Sequence, residues 1–304
     1  MTRQDQGFAL ILVIWSLVLL TSIATGFAYA VRHETRVASD LADLAHAEAA
    51  AAAALRYAVL AVTTGDAEER WAADAQTHEI PWPEATIKIR VRAESGRIDL
   101  NRAPRELLLG LFEQLLPDAD QEALTDAIID WRDPDERSEP AGAEAMEYAR
   151  AGYPYSPPNR PFVTVNELSQ VMGFNDKTVA AVIPYLTIHS RRNRIHAASA
   201  DLVVLTAVPG ITRADAEEFI ARREEALVAG DAPDLGTLSQ GRRFLDTRPA
   251  NKVFSLDIEV RLAEGFARRQ RIVIRLDRAL GFSILAVGDL PVSDATVFEA
   301  DDNG

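Results

Sequence analysis

The 304-residue sequence predicts an α+β fold. A long N-terminal helix packs on an antiparallel sheet, and a large all-helical domain carrying helix-hairpin-helix-like repeats is inserted between the strands. Three observations predict it. Residues 8–30 are apolar and uncharged, and the helical pattern continues from Val31 to Thr64 without Pro or Gly. Alternating strand patterns occupy 85–100 and resume at 252–287. Between them lie six segments with helical spacing.

The apolar run FALILVIWSLVLLTSIATGFAYA (Phe8 to Ala30) is long enough to span a bilayer core of roughly 30 Å. A polar leader, MTRQDQG, precedes it; an amphipathic, alanine-rich stretch follows it to Thr64. Three readings compete. One is a plain membrane anchor. Another is a cleaved secretory signal, for which Ala28-Tyr29-Ala30 has the small-x-small form. Against it, the leader is barely basic and the apolar part exceeds the usual signal length. The third rests on the glycine–phenylalanine pair, Gly7-Phe8, directly before the run. It resembles a prepilin-type leader, cut between the two so that the anchor stays on the mature chain, and the unbroken helix beyond it is also what pilins have. Charge gives no support to an exported C-terminus: Arg32 and Arg36 follow the run and would prefer the cytoplasm. That orientation rests on the resemblance.

Composition narrows the function classes. The formal net charge is −14, which argues against non-specific nucleic-acid binding. There is no cysteine, so disulfides and thiolate metal sites are excluded.

Residues 65–85 read as a loop, with Pro81 and Pro83 barring helix and Trp71 and Trp82 packing the loop onto the domain. Ile87, Ile89 and Val91 alternate with Lys88, Arg90 and Arg92 as a half-buried strand, and Ser95-Gly96 reads as the turn of a hairpin to Arg97–Leu100. From Asn101 to about Arg243 the spacing is helical, with Asp, Ser, Thr or Asn at the starts. Strands return at 252–262, 271–276 and 282–287, with Gly265 suited to a hairpin. The domain expectation is a leader at 1–7 and a spine helix with a membrane half at 8–30 and a second half at 31–64. An α/β domain follows from 65–100 and 246–290, with the helical insert at 101–245 and a flexible acidic tail at 291–304. The alanine-rich face between Val31 and Val62 is the expected partner surface.

Within the insert, Leu100–Leu107 and Ile195–Leu202 share one pattern: apolar, polar, any, Ala, small cap, any, acid, Leu. The second continues through Pro209-Gly210-Ile211, and Phe162–Leu186 has the same form around Gly173. Such repeats are first a fold signal. Their functional reading is DNA binding through N–H groups at the turn, in a competence-type DNA-binding protein. Against that reading, the position of the second glycine holds Thr212 or Asn175, and Asp215, Glu217, Glu218 and Asp176 would repel DNA.

Residues 130–144 form an acidic loop whose oxygen ligands suit calcium, although the spacing is not that of an EF-hand. No nucleophile motif, phosphate loop or zinc-type histidine pair is present, so no enzyme is expected.

The order helix, strands, helical insert, strands resembles the K minor pseudopilins of type II secretion systems. Most pseudopilins carry glutamate at the fifth mature position; counting from Phe8 that position is Leu12, and the K family departs from the rule in the same way. The resemblance implies leader removal by the prepilin peptidase at Gly7, N-methylation of Phe8, and a single-pass anchor in inner-membrane lipid with the C-terminal domain in the periplasm. It implies a place at the pseudopilus tip with the I and J minor pseudopilins, and no nucleic-acid partner. It also implies calcium in the helical domain, carried over to Asp133, Asp135, Glu139 and Glu144, with Gly142-Ala143-Glu144 resembling a family motif; the competing reading is a solvated acidic loop with Trp131 in the core.

Overall fold

The computed structural model describes residues 3–64, 71–228, 233–247, 252–263, 265–277 and 281–290, with side chains from Leu10 onward except at 74, 75, 224, 227 and 228. The expected tail at 291–304 lies outside the described residues. Helix α1 (Arg3–Thr63) is a single element of 61 residues, about 90 Å long at 1.5 Å per residue. It begins inside the polar leader, ahead of Phe8, because nothing in Arg3–Gln6 opposes helix. From Leu10 to Ala42 the helix stands clear of the rest of the chain, with its side chains exposed. It is long and apolar enough there to cross a membrane.

The second half of α1 packs on a five-stranded antiparallel sheet in the order β1-β2-β7-β8-β9. Its strands are β1 (Asp74–Trp82), β2 (Ala85–Ala93), β7 (Val253–Leu262), β8 (Ala267–Asp277) and β9 (Gly281–Asp289). Ala47, Ala50, Ala51, Ala54 and Ala58 recur at three- and four-residue spacing and are buried against Ile87, Ile89, Ile258 and Ile272. A side chain that ends at Cβ lets the helix lie close on the sheet. This corrects the expected partner surface: the fully buried part of the alanine face is already occupied by the chain's own strands.

Two expectations about strands are also corrected. Residues 74–82 are not loop but an edge strand paired with β2. Pro81 is tolerated because an edge strand has a side that needs no N–H donor. Trp71 does pack, stacking on His78 at 3.9 Å between ring centroids, but Trp82 is 40% exposed. Ser95-Gly96 does not turn a hairpin. Glu94–Gly96 is a 3₁₀ turn that carries the chain out of the sheet, and β3 (Ile98–Asp99) pairs in parallel with β4 (Leu186–Thr187). Gly96 lies so close to the Ser199 carbonyl that a Cβ would strike it.

The helical unit has its own core, which includes Leu107, Leu108, Phe112, Trp131, Tyr148 and Phe219. Its helices are α2 (Arg105–Leu115), α3 (Gln121–Arg132), α4 (Ala145–Arg150), α5 (Asp176–Val182), α6 (Leu202–Thr206) and α7 (Arg213–Val228). Helix α4 was not anticipated, and Val165–Gln170 is 3₁₀ rather than α. A second two-residue parallel pair, β5 (Ile195–His196) with β6 (Leu245–Asp246), joins the end of the unit to its beginning of return. Gly173 and Gly210 have φ of 89° and 86°, backbone that favours glycine, and they turn the two hairpins.

The helical unit sits at the far end of α1 from the apolar segment. Asp43, His46 and Ala49 lie beside the β1–β2 turn and Leu262, whereas the opposite strand ends, Ala93 paired with Phe254, lead into the unit.

Candidate functional site

Leu12 projects from the free half of α1, 56% exposed, and its carbonyl accepts a hydrogen bond from Ser16 Oγ at 2.8 Å. A carboxylate at such an apolar position would be costly in lipid, and here none exists. Gly7 and Phe8 lie in the first turns of the same helix.

The acidic loop is built by helix α3. Asp126 and Asp130 stand one turn apart on its inner face and are both buried. Asp126 accepts from Arg105 Nε at 2.6 Å and from the Ala141 N–H at 3.2 Å. Asp130 accepts from the Glu139 N–H at 3.0 Å and Ser138 Oγ at 3.4 Å. The two aspartates therefore tie down the loop backbone between 138 and 141. Gly142 is required where it is, since a Cβ there would collide with the Asp130 carboxylate. Glu144 then opens α4 in a capping box with Glu147, whose carboxylate accepts the Glu144 N–H at 3.2 Å.

Of the four residues carried over for calcium, the fold treats two alike. Asp133 Oδ1 and Glu144 Oε1 are buried oxygens without a hydrogen-bond partner. Glu144 is 5% exposed. Burial, together with the charges of Asp130, Asp133, Asp135 and Glu136, pushes its carboxyl up from 4.5 to about 7. Burial also raises Asp133, with Asp135 and Glu139 adding like charge, and burial raises Asp130. Asp135 is exposed and Glu139 half-buried. Asp135 Oδ1 accepts from the Arg137 N–H at 2.9 Å.

The donor set is all carboxylate, crowded and partly unsatisfied, which is the chemistry a hard cation neutralises. Among the described residues, however, no three carboxylates or imidazoles are gathered in a ready ligating arrangement. The donor chemistry is compatible with calcium. Sequence reasoning placed Asp130 at the start of the acidic loop but not among the candidate ligands. Its signal is Gly142, the residue that leaves room for it.

At the hairpin turns the donors that would meet a phosphate are engaged internally. Asp215 accepts from the Thr212 N–H at 3.0 Å and from its hydroxyl at 2.6 Å. Asn175 Oδ1 accepts from the N–H groups of Lys177 and Thr178, both at 3.0 Å.

An exposed apolar helix running into an antiparallel sheet, with a helical unit set into that sheet, is a pilin-like fold. Within that class, residues 92–191 match the family model described as type II secretion system (T2SS), protein K. Over the whole fold the chain resembles one from the crystal structure of the GspK-GspI-GspJ complex of the enterotoxigenic Escherichia coli type 2 secretion system. The identity is 21% and the TM-score 0.59, covering 85% of this chain and 98% of that one. No curated protein matches. The two matches bear out the resemblance to the K minor pseudopilins read from the sequence.

Proposed function

We propose that this chain is a minor pseudopilin of a type II secretion system, held in the inner membrane by α1 with its folded domain in the periplasm. There it assembles with the I and J minor pseudopilins at the pseudopilus tip to start or cap the fibre. The observation that carries this reading is the protein K match over 92–191, seated in a fold shared with a chain of a GspK-GspI-GspJ complex. Two physical features support a tip position. Leu12 offers no carboxylate for the amino terminus of a subunit ahead to neutralise. The helical unit at the far end of α1 would obstruct a further subunit stacking there.

In this reading the prepilin peptidase cuts after Gly7 and Phe8 becomes the methylated amino terminus. The role is structural rather than catalytic. Calcium, when bound, would supply positive charge to the acidic loop, held by Asp133, Asp135, Glu139 and Glu144 with Asp130 beside them. The competence-type DNA-binding reading is disfavoured by the engaged N–H donors of Thr212, Lys177 and Thr178.

The test is terminal sequencing and intact mass of the protein from cells with and without the peptidase, together with co-purification with the I and J subunits. The expected result is a peptidase-dependent start at N-methylated Phe8 and a ternary complex. A start at Val31, or a chain that never co-elutes with I and J, overturns the proposal.

A further inference from the structure

The chain is strongly acidic, at −14, yet two adjoining loops of the helical unit concentrate arginine: Arg191, Arg192 and Arg194 on one, Arg242 and Arg243 on the other. We infer that these loops form a docking surface for a carboxylate-rich segment of a partner protein. The inference goes beyond the tip assignment, which gives this surface no partner, and its test does not depend on that assignment.

The geometry is built rather than incidental. Arg194 Nη2 donates to the Arg242 carbonyl at 2.6 Å, and the Ile195 N–H donates to the Phe244 carbonyl at 2.8 Å, so the two loops lie together. Arg191 holds a left-handed backbone, φ 53°, which is uncommon for a residue with a long side chain. It is kept there by the buried carboxylate of Asp99, which accepts the Arg191 N–H at 2.7 Å and Ser190 Oγ at 2.9 Å. The consequence is an arginine side chain held out in solvent.

The acids in contact are few. Arg192 pairs with Asp246, and Arg243 pairs with Glu106 at 2.7 Å while lying 4.3 Å from the centre of the Phe244 ring. Arg191, Arg194 and Arg242 have no acidic partner among the described residues, and Arg194 Nε is buried without a hydrogen bond. The local balance is therefore positive, and the exposed guanidinium forks of Arg191 and Arg242 are open. Such forks fit carboxylates in a two-bond geometry.

Position and charge choose among anions. The loops belong to the unit at the far end of α1, so headgroups of the membrane that holds this chain are out of reach. An extended polyanion such as nucleic acid would run past the arginines onto the acidic remainder of the chain. A short acidic segment interacts only within about 8 Å, the screening length at physiological salt, and there it meets arginine.

The experiment uses the full chain in zwitterionic nanodiscs and a fluorescein-labelled hexaglutamate peptide read by anisotropy. Hexaglutamine, short duplex DNA and phosphatidylglycerol vesicles are the competing probes. Hexaglutamate should bind in preference to the other three, and more weakly as salt rises. The double variant Arg191→Asn, Arg242→Ser should weaken it about tenfold, the loss expected for two exposed arginine–carboxylate contacts. Asparagine is chosen because it tolerates the left-handed backbone. Arg213→Ser with Arg222→Ser, on α7 and paired within that helix to Glu217 and Glu218, should leave binding unchanged. Equal binding of hexaglutamate and hexaglutamine overturns the inference. So does an unaltered affinity in the first variant with an unaltered melting temperature, or tighter binding of DNA or vesicles.

Discussion

Glu144→Gln should make the protein more stable at pH 8 than the parent while leaving it nearly unchanged at pH 4. Glu144 is buried with an unsatisfied oxygen among four other acids, and its carboxyl is raised from 4.5 to about 7. The folded state thus holds this proton more tightly than the unfolded chain does. The favourable contribution is complete below about pH 4.5, is lost as pH rises toward 7, and is flat above. At about 1.36 kcal/mol per decade the loss is on the order of 3 kcal/mol. For a folded portion of this size about 1 kcal/mol moves Tm by roughly 2–4 °C, so the parent should fall about 6–12 °C further than the variant between pH 4 and 8. Glutamine keeps the shape and an acceptor for the capping box but cannot ionise. Differential scanning calorimetry of both proteins in the same detergent, with chelator present, gives the comparison, and subtraction removes the background of distant carboxylates. A gap between variant and parent that is the same at both pH values refutes the reasoning. Calcium at pH 8 should restore the parent's Tm and leave the variant's nearly unmoved; calcium that moves neither leaves the crowding argument intact and removes calcium from the loop.

Two further perturbations read the packing. Glu94→Ala removes the carboxylate that accepts from Arg97 at 3.0 Å and from the Thr187 hydroxyl. Stranding a buried arginine should cost about 3–5 kcal/mol, measured as a lowered midpoint in urea. Gly110→Ala places a Cβ against the Ala207 carbonyl, forcing α2 away from α6. A loss of about 1–3 kcal/mol is expected, and an unchanged melting temperature would show that the two helices part freely.

What was legible in the sequence follows from the range over which each signal acts. The spine helix, α2, α3, α7 and the strands β2, β7, β8 and β9 are set by local periodicity, and the structure has them where the periodicity is clean. Strand β1 was hidden by Pro81 and Pro83 and by an irregular register between Asp74 and Thr77; only its place at the sheet edge makes it acceptable. The two-residue ladders joining Ile98 to Leu186 and Ile195 to Leu245 are parallel contacts across about 90 and 50 residues. No local pattern reports such a pairing, so Arg97–Leu100 read as the return of a hairpin. In the acidic loop, the acids themselves were visible as a cluster. Which of them the fold buries was not, because Asp130 reads as an ordinary polar position on α3 until the loop with Gly142 folds back over it.

The junction between sheet and helical unit is polar as well as apolar. Asp257, at the centre of the sheet and fully buried, receives Arg271 through two hydrogen bonds of 2.6 and 2.9 Å. Burial works against its ionisation, but the Arg271 bonds and the charges of Arg92 and Arg97 hold its carboxyl below the usual range. Arg97 belongs to the turn that leaves the sheet, and its partner Glu94 reaches Thr187 of the helical unit. One buried pair thus joins β8 to β7, and a second, in the turn, is hydrogen-bonded to the insert through Thr187. Apolar packing alone would tolerate sliding at this seam, because Ile and Leu contacts have no preferred angle. Buried ion pairs do not tolerate it, since any shift that parts them strands a charge at a cost of several kcal/mol. Glu94 is therefore the residue through which the buried polar contacts of the turn resist sliding of the helical unit, beside the two apolar cores on either side.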